Sequence, residues 1–303
     1  MIPLIQKYPS CPICANSNIE LALKTNDFSL TKEAFDILFC PICTLQFTNP
    51  VPSKENISVY YNFSDYISHT DVKKGLINRI YHIVRQYTLK LKSNFIQSYF
   101  PNRLGKILDI GSGTGAFANT MKIKGWEVDA LEPDSASRTI AFDNYGIALK
   151  PIDDFFQLPN NHYDVITLWH VLEHVHDLND YFVKFNQLLK NDGKLIIAVP
   201  NYTCFDANYY KHMWAAYDVP RHLYHFSPQS MSVLCERHNM QIVKYKPMWF
   251  DSLYVSLLTE KYINWGIFGT LRALIVGVVS NLVAVFDTKK TSSVIYVIQK
   301  NTH

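Results

Sequence analysis

Lys106-Ile-Leu-Asp-Ile-Gly-Ser-Gly-Thr-Gly115 decides how this chain folds. It reads as a short buried strand over residues 107–110, three alternating glycines, and a helix from Ala116 onward. Glycines suit that junction because the backbone must turn tightly and let a ligand approach with no Cβ in the way. The helix start aims its unpaired N–H groups and positive dipole end at the same point. Such a site lies at the switch point of an open α/β sheet and takes a nucleotide-type ligand. Gly111, Gly113 and Ala116 also satisfy the dinucleotide fingerprint, so the glycines alone do not choose the ligand. Asp109 does. A carboxylate two residues before the first glycine repels an arriving pyrophosphate and favours a ligand group that brings positive charge.

The run Leu108-Asp-Ile-Gly-Ser-Gly-Thr-Gly115 resembles motif I of the class I S-adenosylmethionine-dependent methyltransferases, whose cofactor carries an ammonium and a sulfonium. Later positions resemble the same family. Glu132 ends a second strand (126–131), where the family's acidic residue binds both ribose hydroxyls. Asp154-Phe155 follows a third strand, where the family holds the adenine; residues 163–170 resemble the fourth strand and 193–201 the fifth. The resemblance implies a Rossmann-like, seven-stranded, mostly parallel sheet with helices on both faces. It implies S-adenosylmethionine as cofactor, held by Asp109, Gly111, Ser112, Gly113, Gly115, Glu132, Asp154, Phe155, Trp169 and His170. The final strand, 292–300, is expected as an edge strand, the antiparallel one that the family slots between strands five and six.

Upstream lie Cys11-Pro-Ile-Cys14 and Cys40-Pro-Ile-Cys43. Each pair offers two thiolates from one tight turn, and two such turns complete a tetrahedral sulfur site for a structural zinc ion. Redox dithiols are the alternative. Residues 1–50 are therefore expected to form a small zinc-ribbon-like domain. Residues 51–102 read as a linker and a covering helix, 72–99, which Pro101 stops. Residues 103–303 read as the methyltransferase domain, with a substrate-loop insertion at 201–230 and an apolar helical segment at 250–286.

The chain has 303 residues, 48% of them hydrophobic and 18% charged, which is enough apolar material for a sizeable core. A net charge of +3, with no basic run longer than Lys73-Lys74 or Lys289-Lys290, argues against a nucleic-acid partner. Paired cysteines suit a reducing compartment, and prolines and cysteines interrupt any signal-peptide core. The expected location is the cytoplasm, free or peripheral to the membrane. The stretch after Arg272 is short for a membrane span. A buried or dimer-forming helix is the favoured reading, with interfacial membrane contact as the alternative.

Methyl transfer is a displacement that depends on alignment, and oxygen or carbon acceptors must also lose a proton. Histidine is the natural base near neutral pH. His170, His174 and His176 follow strand four, and His222 and His225 lie in a later loop; both regions are expected to line one cleft. With its four cysteines, the layout also resembles the sugar C-methyltransferases that act on nucleotide-linked keto-deoxysugars. That resemblance implies His222 as base, with His174 and the linker residue Tyr66 as further catalytic groups. Arg221 stands where that group has a glutamate, and segment 250–286 stands in place of its further C-terminal domain. Leu172-Glu-His-Val175 also resembles the quinone-biosynthesis O-methyltransferases, which implies that Glu173 and His174 bind a divalent metal near an acceptor hydroxyl. The plainer reading of that pair is a hydrogen-bond network at a helix start. Three functions follow. One is methyl transfer to a carbon or oxygen of a small-molecule or sugar-type acceptor; the second is O-methylation of a quinone or lipid-like acceptor; the third is a non-catalytic assembly module.

Overall fold

A computed structural model of the chain describes residues 5–61, 76–101, 103–263 and 266–301, with side chains described from residue 84 onward in the first helix. Two compact units divide it: Asn62–Leu168 with Gln187–Leu195, and Met1–Tyr61 with Trp169–Asn186 and Ile196–His303. The chain opens with β1 (Ile5–Gln6), β2 (Glu20–Asn26), β3 (Ala34–Phe39), β4 (Gln46–Thr48) and β5 (Val51–Pro52). Next come α1 (Leu76–Gln97), β6 (Lys106–Ile110), α2 (Ala116–Ile123), β7 (Glu127–Leu131), α3 (Ser135–Tyr145) and β8 (Tyr163–Trp169). Then follow α4 (Leu178–Leu188), β9 (Leu189–Pro200), α5 (Phe205–Tyr210), β10 (Tyr224–His225) and α6 (Pro228–Arg237). The chain closes with β11 (Met240–Pro247), α7 (Asp251–Ile263), α8 (Ile267–Phe286) and β12 (Ser293–Lys300).

In the first unit β6 pairs in parallel with β7 on one side and β8 on the other. Ile107, Leu108 and Ile110 are fully buried, as a strand covered on both faces requires. The expected third strand shrinks to one parallel bridge, Leu131 to Lys150, because Pro151 follows and has no N–H to extend the ladder. The α/β sheet therefore has six strands among the described residues, in the order β11-β12-β9-β8-β6-β7, where seven were expected. Helix α1 packs on α2, and Arg85 donates to Thr114 Oγ1 at 3.2 Å, which sets the helix beside the glycine loop. The expected helix start at residue 72 lies outside the described residues. Tyr87 and Leu91 of this helix are exposed, and Phe95 and Ile96 are buried.

In the second unit β12 is no edge strand. It lies between β9 and β11, antiparallel to β11, because the apolar run from Val294 to Ile298 is buried on both faces. Helix α6 starts at Ser227, whose side chain accepts the Ser230 N–H while Ser230 Oγ accepts the Ser227 N–H, with Pro228 at the first helical position. Strand β10 adds to β4, giving a four-stranded sheet β10-β4-β3-β2 with Phe47 and Tyr224 buried in the pairing. The cysteine-bearing strands thus share a compact unit with the later chain. Segment 250–286 holds two helices, α7 and α8, packed on each other, and α8 also packs on α5.

Candidate active site and metal centre

The glycine loop comes first. Asp109, near the end of β6, is almost fully buried and accepts the Thr167 hydroxyl at 2.7 Å. Burial pushes its pKa up to about 6, against the pull of that hydrogen bond. Gly111, Gly113 and Gly115 all have positive φ. At Gly115 (φ 75°) a Cβ would also meet the Ala141 Cβ at 2.8 Å, so both the backbone angle and the packing exclude a side chain. The Ser112 hydroxyl donates to the Asp109 carbonyl at 2.9 Å and braces the turn. Glu132 accepts the Gly113 N–H at 2.7 Å and the Asp134 N–H at 3.0 Å. A carboxylate has about four acceptor positions, so two remain for ligand hydroxyls. Burial raises the Glu132 pKa and these backbone bonds oppose the rise. Asp154 is half-buried in a short 3-10 segment, Ile152–Gln157. Phe155, expected against the adenine, is fully buried and offers a ligand no surface; its neighbour Phe156 is exposed.

A second cluster forms after β8. Glu173, His174 and His222 bring a carboxylate oxygen and two ring nitrogens within 4.8 Å of one another. The two imidazoles meet edge-on with centroids 4.6 Å apart. His222 Nδ1 lies 2.8 Å from the Ala216 carbonyl and His174 Nδ1 3.0 Å from the Arg221 carbonyl. A carbonyl only accepts, so each Nδ1 carries a proton, and in a neutral ring Nε2 is then the atom with the lone pair. Burial and the neighbouring His222 push the His174 pKa down to about 4, so its ring is neutral at physiological pH. Glu173 is fully buried, and neither carboxylate oxygen has a hydrogen-bond partner among the described residues. Burial alone would raise its pKa, yet the imidazoles of His170, His222 and His174 hold it below the ordinary value.

His170, expected at the cofactor, sits between two carboxylates. Its Nε2 lies 3.0 Å from Asp251 and its Nδ1 3.4 Å from Glu173, so both nitrogens face carboxylates. Burial works against its charge, but Asp251 and then Glu173 outweigh it and raise the pKa to about 10. His170 thus orients Glu173 as an imidazolium. Trp169 ends β8, half-buried. His174 and His222 meet as expected, whereas His225 is buried against Thr48 (3.1 Å) and His176 bonds the Pro52 carbonyl (3.1 Å). Tyr66 lies outside the described residues. Tyr61, earlier in the same linker, places its hydroxyl 3.0 Å from His174 Nδ1.

Several contributors escaped the sequence reading. Thr167 and Asp251 carried no local signal, because each acts through a partner distant in the chain, whereas Asp218 acts through Arg221 and His222 a few residues on. Asp218 Oδ2 is 3.9 Å from His222 Nε2 and is itself clamped by Arg221 at 2.9 and 2.6 Å. The Arg221 guanidinium also binds Asp27 at 2.8 Å and the Tyr60 carbonyl at 2.8 Å.

The sulfurs of Cys11, Cys14, Cys40 and Cys43 lie within 4.8 Å of one another. Both knuckles use one turn. Ala15 and Thr44 each have φ 60°, their N–H groups bond the Cys11 and Cys40 carbonyls, and those cysteines' N–H groups bond Asn16 and Leu45. Sulfur separations of 3.3 Å (Cys11 to Cys43) and 3.4 Å (Cys14 to Cys40) exceed a disulfide bond of about 2.05 Å. Four thiols on two matching turns fit a tetrahedral metal site.

A glycine loop flanked by Asp109 and Glu132 in a mostly parallel α/β sheet defines the class. The chain belongs to the methyltransferase-domain family, which it matches over residues 82–245. A ubiquinone biosynthesis O-methyltransferase of Rickettsia prowazekii (strain Madrid E) is 31% identical over 137 residues, covering 43% of this chain and 52% of that protein. An uncharacterized methyltransferase of Staphylococcus carnosus (strain TM300) is 32% identical over 110 residues, covering 35% of this chain and 51% of that one. The chain thus spans about half the length of these relatives. Among solved structures, a sarcosine dimethylglycine methyltransferase candidate from Galdieria sulphuraria superposes with a TM-score of 0.50 at 14% identity, over 71% of this chain and 86% of that one. At that identity the likeness concerns the fold.

Proposed function

We propose that the chain is an S-adenosylmethionine-dependent methyltransferase that removes a proton from a carbon or oxygen of a small-molecule acceptor, with His222 as base. The arrangement of Glu173, His174 and His222 carries this reading: two imidazoles whose Nδ1 groups are held on backbone carbonyls turn their Nε2 atoms to proton transfer beside a buried carboxylate. In this reading the glycine loop cradles the cofactor, Glu132 takes its ribose hydroxyls and Asp109 faces its cationic end. Asp154 is assigned to the adenine, with Phe156 rather than Phe155 as the accessible ring.

Calorimetric titration with S-adenosylhomocysteine tests the cofactor assignment, and its pH dependence tests Asp109. The ligand's ammonium favours the ionised carboxylate, so binding releases a proton wherever Asp109 is protonated. Affinity is therefore expected to hold above pH 6 and to weaken by roughly tenfold per unit below it. Asp109→Asn is expected to bind weakly without that dependence. A flat wild-type profile would remove Asp109 from the cationic end.

A second reading, O-methylation of a quinone or lipid-like acceptor, is favoured by the buried Glu173 carboxylate that lacks a hydrogen bond. One carboxylate and two histidines are the donor set of open metal sites, so Glu173, His174 and His222 fit a divalent cation. Such a cation would supply Lewis-acid polarisation of an acceptor hydroxyl. Elemental analysis separates the readings. Structural zinc at the four cysteines predicts one zinc per chain, lost in Cys11→Ser/Cys40→Ser while S-adenosylhomocysteine still binds. Two metals per chain would assign the second to the Glu173 centre and leave His222 a ligand.

A further inference from the structure

Helix α8 is packed inside out for a helix in water. An amphipathic helix of a water-soluble protein turns its large apolar residues inward and its polar residues outward. Here the inward face carries Gly269, Ala273, Gly277, Ser280 and Ala284, with Val276 the one larger residue among them. These small residues let the helices approach closely: a Cβ on Gly277 would lie 2.7 Å from the Leu253 side chain and 2.9 Å from its Cα. Ser252 donates to the Gly277 carbonyl at 3.1 Å and to Asn281 Oδ1 at 2.9 Å, so the α7–α8 pair is also hydrogen-bonded. The large residues face out. Phe268 and Phe286, near the two ends, are 88% and 90% exposed, with Leu271, Ile275, Val278 and Leu282 exposed between them. At 100° per residue the exposed apolar residues cover a stripe roughly 120° wide.

We propose that this outer face of α8 seats on a lipid surface, with the helix lying along the headgroup boundary. Four observations select that occupant. The helix is long and apolar enough to cross a membrane, with a mean hydropathy of 1.8 over its best window, yet its inner face is committed to α7 and α5. A helix so held can lie in an interface but not span it. It contains no acidic residue, and its one charged residue, Arg272, is paired through two 2.6 Å bonds with buried Glu260 on α7. Exposed lysines sit at both ends: Lys261 closes α7 near the start of α8, and Lys290 follows its end. That distribution complements anionic headgroups around an acyl-facing middle. Finally, the stripe is mainly aliphatic and lacks the tyrosine and unpaired arginine anchors that enrich protein interfaces.

The test is co-sedimentation of the full chain with phosphatidylcholine vesicles containing phosphatidylglycerol. Wild type is expected to pellet with them, and Leu274→Glu/Val278→Glu to lose at least roughly tenfold in partitioning. S-adenosylhomocysteine titration of the variant should match wild type, which shows that the loss is not unfolding. This outcome is independent of the catalytic assignment above. Wild type that stays in the supernatant, or a variant that pellets equally well, overturns the proposal. A stable wild-type dimer that the same substitutions dissolve, without vesicle binding, would assign the face to a second copy instead.

Discussion

Replacing His222 with alanine is expected to lower turnover by roughly 10²–10⁴, the span a general base contributes, while S-adenosylhomocysteine binding stays within roughly twofold of wild type. His222 Nδ1 is held on the Ala216 carbonyl, so its Nε2 lone pair is fixed in direction before any acceptor arrives. Alanine removes that lone pair and leaves Glu173 without one of its imidazole neighbours. His174→Ala should cost less, because the proposed base remains. The double variant should be little worse than His222→Ala alone, since residues acting as one unit are strongly non-additive. The decisive comparison is kcat of the three variants at saturating S-adenosylmethionine. Loss with His174→Ala but not with His222→Ala would move the base to His174. Full turnover in the double variant would reject histidine base catalysis.

Arg221→Met is expected to be the most destabilising single change, by about 3–5 kcal/mol at neutral pH, the usual cost of leaving a buried charge without its partner. Arg221 is nearly buried and bridges Asp27, which is fully buried, and Asp218. Burial disfavours the Asp27 carboxylate, but Arg221 and the Thr31 N–H more than offset this and hold it well below the usual carboxylate range. Asp218 is lowered in the same sense, with burial opposed chiefly by Arg221. The sign follows. A depressed carboxylate pKa contributes stability in full above the unfolded value of about 4, and the contribution fades as pH falls further. Urea unfolding from pH 7 to pH 3 should therefore show wild-type stability falling below about pH 4, with Arg221→Met already low at pH 7 and flatter below. Equal stability of variant and wild type at pH 7 would mean that water already screens the cluster. Because Asp218 also lies beside His222, the variant should lose turnover as well as stability.

The position held by Arg221 was legible only as a departure, an arginine where a glutamate was expected. Its role could not be read there, because Asp27 is 194 residues away in sequence and an ion pair leaves no local pattern. Phe155 and Phe156 show the same limit on a smaller scale. The sequence reading set Phe155 at the adenine, and packing buried that ring and exposed its neighbour Phe156.

By itself the sequence determined what local chemistry controls. The glycine loop, the apolar run of β6, the Ser227 cap and the two Cys-Pro-Ile-Cys turns each follow from backbone angles, hydrogen-bonding capacity or residue spacing within a few positions. Tertiary structure alone decided how distant groups pair. It tied β10 to the cysteine-bearing sheet. It set His170 between the carboxylates of Glu173 and Asp251. It also turned the small residues of α8 inward and its large ones outward, because an apolar composition states how much surface must avoid water but not which face meets protein.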